Sequence, residues 1–351
     1  MSLSSALSRI AAACSCAVLL SAALTGCGPA SGTASGGASS SEQSAATPSG
    51  PIPVVAAENT WGSIAESIGG DEVKVTSIVD SSDTDMTSFA PTADQKAQIA
   101  DAQIVIVDGA GYDTWASDQT TRDQTVINAA STVGATDGDN PFLWMSSDTR
   151  RGVADAVADA LMKAAPDSSD IFQKNLDEWK AAEDELDTKI DDLKSKHKDA
   201  HYLATAPAAY YLLAEAGMTD DTPDDWSKSM TKGQTPDEDQ VTAMTKAVTT
   251  GSARLLLNDT QRPTSATDTV LAAAGTVQGM QVLALTETMS PAQNSLHKWL
   301  SQYVDDVSDA LDAAQKAANA SASASASGSA PGSTSASAGD GSDSASASAS
   351  N

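Results

Sequence analysis

Short apolar runs alternate along this chain with segments in which apolar residues recur every three or four positions. Runs rich in Val, Ile and Leu are typical of buried strands, and the longer spacing is typical of amphipathic helices. The apolar runs predict strands at 53–56, 73–79, 104–107, 126–128, 202–206, 254–257 and 281–285. Helices are predicted between them, including 61–68, 92–100, 208–216, 237–249 and 265–274. Strands that alternate with helices predict an α/β protein with mostly parallel sheets, divided into two lobes.

The middle of the chain predicts one long helix over residues 168–198. Asp, Glu and Lys fill the polar faces of this helix. Its apolar positions follow helical spacing and are Phe172, Leu176, Trp179, Leu186, Ile190 and Leu193. Such a helix would be about 45 Å long, enough to cross a small protein. A coiled-coil dimer is the alternative, but Glu183 interrupts the apolar series. We therefore expect a monomer with an N-terminal lobe at 52–167, a bridging helix at 168–198 and a C-terminal lobe at 199–317.

Both ends of the chain differ from this central part. Residues 1–26 carry Arg9, then an apolar segment that ends at Leu24-Thr25-Gly26-Cys27, a pattern typical of a bacterial lipoprotein signal. Cys27 is then the lipidated N-terminus on the outer face of the cytoplasmic membrane; the alternative is an ordinary secretory signal with an incidental cysteine. Residues 27–51 predict a flexible linker, and the Ser/Ala-rich residues 318–351 a disordered tail. The other two cysteines lie in the signal, so no disulfide or cysteine metal site is expected.

Charge and missing motifs exclude two classes of function. The formal net charge is −27, and loss of the single positive charge of Arg9 with the signal makes it −28, which disfavours binding to nucleic acid phosphates. Gly109-Ala110-Gly111 lacks the third glycine of a dinucleotide fingerprint, and the globular part has neither a phosphate-binding loop nor a Gly-x-Ser-x-Gly elbow. The chain is therefore predicted not to be an enzyme.

Four segments, in this order, carry a family resemblance: Asp83 to Thr92, Val105 to Trp115, Asn140 to Met145, and Leu285 to Pro291. They resemble four segments of TroA-like zinc and manganese receptors of ABC importers. The first resembles the Asp-Pro-His…Glu-Pro-Thr loop of that family, and the second resembles its strand ending in Asn-Gly-Ala-Gly. The third resembles its Asn-Pro-His-Leu-Trp segment, and the fourth resembles its last strand. A long helix between two α/β lobes, behind a lipoprotein signal, is also similar to that family. The resemblance implies an extracytoplasmic, lipid-anchored substrate-binding protein that works with an ABC permease.

The same resemblance places four metal ligands, two from each lobe. The two histidines fall on Thr87 and Phe142, a histidine or glutamate falls on Ala206, and the acidic ligand falls on Glu287. A phenyl ring and a methyl group cannot ligate, and a threonine hydroxyl ligates weakly, whereas zinc takes about four N, S or O ligands. Zinc or manganese binding, implied by the family, is thus predicted to be lost, with only Glu287 left and no cofactor expected.

Alternatives remain at this point. Glu287 is expected to face a wet cleft as a relic, or else to bind something cationic, because a buried lone carboxylate is costly. Asp83, Asp85 and Glu287 could hold a hard cation such as Ca²⁺, although aspartates in loops commonly serve turns. A metal-independent surface interaction or adhesion lipoprotein on the same scaffold is the alternative function.

The three histidines of the mature chain, His197, His201 and His297, are not expected to form a replacement metal site. His197 and His201 are four residues apart, but the long helix is predicted to end between them. Trp61, Trp115 and Trp144 are expected to pack in the N-terminal lobe or to line its cleft.

Overall fold

The computed structural model describes residues 50–327, with side chains through residue 323. The predicted signal at 1–26, the lipidated Cys27, all of the linker except its last two residues, and the tail beyond residue 327 lie outside this range.

The N-terminal lobe is built on a sheet of parallel strands in the order β2-β1-β3-β4. The strands are β1 (Ile52–Glu58), β2 (Val73–Val79), β3 (Ile104–Val107) and β4 (Thr125–Asn128). The helices of this lobe are α1 (Asn59–Gly69), α2 (Ala93–Asp101), α3 (Thr114–Ser117), α4 (Ala129–Val133) and α5 (Ser147–Ala164). The central strand β3 is buried on both faces, as its unbroken Ile-Val-Ile-Val run predicts.

The C-terminal lobe repeats this arrangement, with parallel strands in the order β6-β5-β7-β8. The strands are β5 (His201–Ala204), β6 (Thr219–Asp220), β7 (Leu255–Asp259) and β8 (Gln281–Leu285). Between the lobes runs α6 (Ser169–Lys196), and the helices of the second lobe are α7 (Tyr210–Glu215), α8 (Asp224–Thr231), α9 (Glu238–Thr250), α10 (Ser265–Ala274) and α11 (Leu296–Ser327). The predicted fold class, two α/β lobes with parallel sheets joined by a long helix, is confirmed.

The bridging helix α6 is 28 residues and thus about 42 Å long. It packs against α1 and α5 of the first lobe and against α11 of the second. Its apolar stripe belongs to a hydrophobic core that continues from one lobe into the other. Glu183, the residue that breaks the apolar series, is also fully buried, because it pairs with Arg150 on α5 and His297 on α11. The interruption in the pattern is thus an internal ion pair.

Several elements differ from the sequence prediction, which named no helix at α3, α4, α5 or α8 and no strand at β6. In α5 the buried face combines Val153, Val157 and Leu161 with three alanines and with the polar Thr149 and Arg150, which weakens its apolar stripe. Helix α11 continues to Ser327, whereas the predicted lobe ends at residue 317 and gives way to a disordered tail. Alanine has the highest helix propensity, so a helix that is already anchored can extend into the Ala/Ser-rich stretch.

The strand orders determine where a ligand can bind. In each sheet the chain leaves the first strand toward one neighbour and later crosses to the other side, so a crevice opens between β1 and β3 and between β5 and β7. Ligands of open α/β sheets bind in such crevices, at the carboxyl ends of the strands.

In the stretch 50–327, no helix is both long enough and apolar enough to cross a membrane.

Candidate functional site

A cavity of about 470 Å³ lies between the lobes at these carboxyl ends. Of the four residues at family ligand positions, Thr87, Phe142 and Glu287 line it, and Ala206 does not. The structure thus brings three of the four sequence-predicted site residues around one cavity.

Thr87 belongs to a turn that satisfies its own polar groups. The Asp85 carboxylate accepts hydrogen bonds from the Thr87 backbone N–H at 2.9 Å and from its hydroxyl at 2.7 Å, and a third from the Ser88 hydroxyl at 3.3 Å. Asp85 therefore has the turn role common for aspartate in loops, which removes it from the proposed oxygen site for Ca²⁺.

The Thr87 turn also approaches the second lobe closely. Gly233 has a φ of 66°, and a Cβ there would lie 2.7 Å from Thr87 Cγ2. A side chain at 233 is therefore excluded both by backbone conformation and by the neighbouring lobe.

Phe142 is buried in a cluster of aromatic rings where the resemblance expects a histidine. Its ring centroid lies 5.8 Å from that of Tyr112 and 5.7 Å from that of Trp144, both in edge-on geometry. Trp61 and Trp144 are fully buried and pack together with centroids 6.1 Å apart, whereas Trp115 lines the cavity. The N-terminal wall of the site is thus a packed aromatic surface with no imidazole.

Ala206 is the second residue after β5 and does not line the cavity. It is 1% exposed and belongs to a separate core of the second lobe that includes Leu203, Trp226 and Met230. The indole N–H of Trp226 donates to the carbonyl of Thr205 at 3.0 Å, which fixes this turn.

Glu287 is buried and paired, not exposed to a wet cleft. It is 1% exposed, and its Oε1 lies 2.9 Å from Nη2 of Arg262. The expectation that Glu287 faces solvent is therefore wrong, because an arginine of the same lobe supplies the cation. Tyr112, from the other lobe, donates its hydroxyl to Oε2 at 3.3 Å.

Arg262 is the site residue that sequence reasoning missed. Its side chain is 8% exposed, its Nη1 donates to the Met230 carbonyl at 2.8 Å, and its Nε lies 3.4 Å from Asp259 Oδ2. The sequence signal that could have identified Arg262 was its position three residues after Asp259, the last residue of β7, which ends at the edge of the crevice. Arg262 thus holds a positive charge beside the one acidic residue left at a family ligand position.

The electrostatics of this pair follow from burial. Burial raises the pKa of Glu287 above its ordinary value and Asp259 adds to the increase, whereas the Arg262 guanidinium opposes it and favours the ionised carboxylate. Burial also disfavours the charge on Arg262, but Glu287 and Asp259 outweigh it and raise its pKa. Arg262 therefore remains a fixed cation at every physiological pH.

Further hydrogen bonds join the lobes around the cavity. Gln261 donates to the carbonyl of Thr84 at 2.9 Å, and the Thr288 hydroxyl donates to the carbonyl of Ser81 at 3.1 Å. Asn59 donates to the carbonyl of Met289 at 2.7 Å. The lobes therefore meet through direct protein contacts beside the Arg262–Glu287 pair.

Behind the cavity, three carboxyl groups are buried together in the first lobe: Glu58 ends β1, Asp108 follows β3, and Asp113 lies in the next loop. Asp113 accepts backbone N–H bonds from Asp108 at 2.6 Å and Gly109 at 3.0 Å. Burial raises the pKa of Glu58 well above its ordinary value, and the nearby charges of Asp113 and Asp108 raise it further. Burial likewise raises the pKa of Asp108 well above its ordinary value, and the charge of Asp113 adds to that increase. Burial raises the pKa of Asp113 to about 6.

These acids predict that stability falls as pH rises. A carboxyl whose pKa is raised on folding contributes stability that is present below its unfolded pKa, near 4, and is lost as pH rises through the folded value. Asp113 alone should lower the free energy of unfolding by about 2 kcal/mol between pH 4 and pH 8. Urea denaturation at pH 5, 6, 7 and 8 measures this decrease.

The matched variant is Asp108→Asn, which keeps the side-chain shape and removes one acid of the cluster. It should be more stable than the wild type at pH 8 and show a weaker pH dependence. Stability that is constant or rises between pH 5 and pH 8 would contradict the cluster's protonation.

The histidines all have protein partners outside the cavity. His201 lies 3.0 Å from Asp221, His197 lies 3.6 Å from Asp312, and His297 lies 2.8 Å from Glu183. Across residues 50–327, the His, Cys, Asp and Glu side chains include no group of three arranged to hold a metal ion.

Two parallel-sheet lobes, a bridging helix and an inter-lobe site define a substrate-binding receptor. A sequence profile of the family "ZnuA: Zinc-uptake complex component A periplasmic" matches residues 54–317. This chain belongs to that family. No curated protein matches the chain.

Solved structures share the fold at low sequence identity. A crystal structure of ZnuA is 16% identical, with a TM-score of 0.59, covering 73% of this chain and 98% of that one. The laminin-binding protein Lmb of Streptococcus agalactiae, described as bifunctional with adhesin and metal transporting activity, is 16% identical, with a TM-score of 0.63 and coverages of 74% and 99%. The substrate-binding protein FpvC of Pseudomonas aeruginosa, solved with Mn²⁺, is 16% identical, with a TM-score of 0.63 and coverages of 75% and 98%.

Family membership establishes the general class of activity. The family and its structural neighbours are extracytoplasmic substrate-binding receptors, not enzymes. Receptors of this family work with ABC permeases.

Proposed function

We propose that this chain is a lipid-anchored receptor of an ABC importer in which Arg262 replaces the metal ion. The lipid is attached at Cys27 on the outer face of a bacterial cytoplasmic membrane, and the partner is the permease of that importer. The observation that carries the proposal is the buried contact of 2.9 Å between Arg262 Nη2 and Glu287 Oε1.

Two physical effects oppose metal binding here. Thr87, Phe142 and Ala206 supply at most one weak oxygen ligand, where zinc takes about four donors. In addition, a divalent ion about 4 Å from the guanidinium would be repelled by roughly 8 kcal/mol at an effective dielectric constant of 20. Metal affinity of receptor grade therefore requires both new ligands and removal of Arg262.

The test is metal binding by the purified mature chain without its lipid, residues 28–351. After dialysis against a chelator, elemental analysis and calorimetry with Zn²⁺, Mn²⁺ and Ca²⁺ should give dissociation constants no tighter than about 1 μM, or about −8 kcal/mol. The acidic surface can bind cations loosely, so Glu287→Ala is the matched variant. Sub-micromolar zinc binding that disappears in Glu287→Ala would overturn the proposal.

The alternative function is a surface interaction or adhesion lipoprotein. Its support is the shared fold with Lmb, which is described as an adhesin that also transports metal. The two functions differ in partner: a receptor binds a permease reconstituted in membranes, whereas an adhesion protein binds extracellular matrix and leaves the permease untouched.

A further inference from the structure

The cavity beside Arg262 and Glu287 is far larger than one metal ion requires. Its volume of about 470 Å³ falls within the range of sites that enclose small organic molecules, roughly 300–1,000 Å³. An organic ligand is therefore compatible with its size.

The first lobe gives the cavity an aromatic wall, which includes Phe89, Tyr112, Trp115 and Phe142. The rings of Phe89 and Trp115 lie 4.8 Å apart and those of Tyr112 and Phe142 lie 5.8 Å apart, so the wall is made of packed ring pairs. Such a wall binds a flat or bulky apolar group through ring contacts and burial. Phe142 extends this surface at a position where a metal receptor would have a polar ligand.

The charged groups around the cavity are balanced. Glu287 and Asp139 are acidic, Arg262 and Lys232 are basic, and all four line the cavity. Asp139 and Lys232 are exposed, whereas Arg262 and Glu287 are buried. A ligand with a single charge would therefore meet a like charge inside the site.

The buried pair also determines which ligand charges the site can accept. Arg262 Nη2 and Glu287 Oε1 lie 2.9 Å apart, and both atoms are buried. A ligand with one charge could replace only one member of the pair and would leave the other buried charge without a partner, which is costly. A ligand that offers an acceptor to Arg262 and a donor to Glu287 would satisfy both.

We propose that this cavity binds a free amino acid with an aromatic or large aliphatic side chain. Its carboxylate lies beside Arg262, its ammonium group beside Glu287, and its side chain against the aromatic wall. This inference rests on the proposed function, because it names the ligand of a receptor that has exchanged its metal for an internal cation.

Three probes with the same ring test it: L-phenylalanine is zwitterionic, 3-phenylpropanoate is an anion and 2-phenylethylammonium is a cation. With residues 28–351, L-phenylalanine titrated up to millimolar concentration should raise the melting temperature progressively, by about 5 °C once it reaches 100 times its dissociation constant. Either singly charged probe at the same concentration should raise it by less than about 1 °C. No shift with L-phenylalanine, or an equal shift with a singly charged probe, would overturn the inference.

Variants locate the binding. Arg262→Met should weaken L-phenylalanine binding at least tenfold, whereas Lys174→Met, at an exposed position on the bridging helix, should leave it unchanged. The wild-type comparison of the three probes remains decisive if Arg262→Met does not fold. Absence of both zinc and amino acid binding would reject this inference alone, whereas tight zinc binding through Glu287 would reject the proposed function.

Discussion

A chain carrying Thr87→His, Phe142→His and Arg262→Ala is expected to bind zinc with micromolar or tighter affinity. Together with Glu287, the two histidines supply three protein ligands, which with one water complete the tetrahedral coordination that zinc prefers. Removal of the guanidinium removes roughly 8 kcal/mol of repulsion, at an effective dielectric constant of 20, and frees the Glu287 carboxylate. Calorimetry with Zn²⁺ on the purified variant measures the gain.

The matched control keeps Arg262 and carries only Thr87→His and Phe142→His. It should bind zinc at least a hundredfold more weakly, because Arg262 still pairs with Glu287. A second control adds Glu287→Gln to the triple variant and should lose the zinc. Equal zinc affinity with and without Arg262 would show that Arg262 does not replace the metal. Absence of zinc binding in a folded triple variant would show that the family ligand positions are misplaced.

The scaffold was predictable because its signals are local. The runs that form β2, β3 and β8 have the predicted bounds, because short apolar-rich runs between turn residues are visible in the sequence itself. Of these three strands only β3 is buried on both faces. The bridging helix was predictable from the spacing of its apolar residues. Helix α5 escaped prediction because its buried face mixes Val153, Val157 and Leu161 with alanines and with a buried arginine, and alanine by itself indicates neither burial nor exposure.

The site was only partly predictable, since charge pairing depends on tertiary structure. Thr87, Phe142 and Glu287 could be placed from local motifs, and they do line one cavity. Nothing local shows that Arg262 points inward, because an arginine after a strand is more often solvated. The pairing of Glu183 could not be predicted for the same reason. The sequence shows that Glu183 breaks the apolar stripe of the bridging helix, but its partners Arg150 and His297 come from distant segments that meet only in the folded chain.

Replacing Glu183 with alanine is expected to lower the free energy of unfolding by about 3–5 kcal/mol, the cost of breaking a buried ion pair. Glu183 and Arg150 are both fully buried, with Arg150 Nη2 2.6 Å from Oε1, and the Glu183 carboxylate also meets His297 Nε2 at 2.8 Å. Alanine would leave the Arg150 charge in the core with the Trp144 carbonyl as its remaining acceptor, 3.0 Å from Nη1. Urea denaturation followed by circular dichroism at pH 7 measures the loss.

The control is Glu185→Ala, an exposed glutamate on the same helix, which should change stability by less than about 0.5 kcal/mol. A double variant, Arg150→Met with Glu183→Leu, should recover most of the loss, since apolar residues of similar volume can replace a buried ion pair.

The pH dependence of stability gives an independent check. Burial by itself would raise the Glu183 pKa, but hydrogen bonding from His297 and the charge of Arg150 outweigh burial and lower the pKa to about 2. Its stabilisation is therefore present above pH 4.5 and lost as pH falls toward 2. A Glu183→Ala chain within 1 kcal/mol of the wild type at pH 7 would mean that the bridging helix is held by its apolar stripe alone.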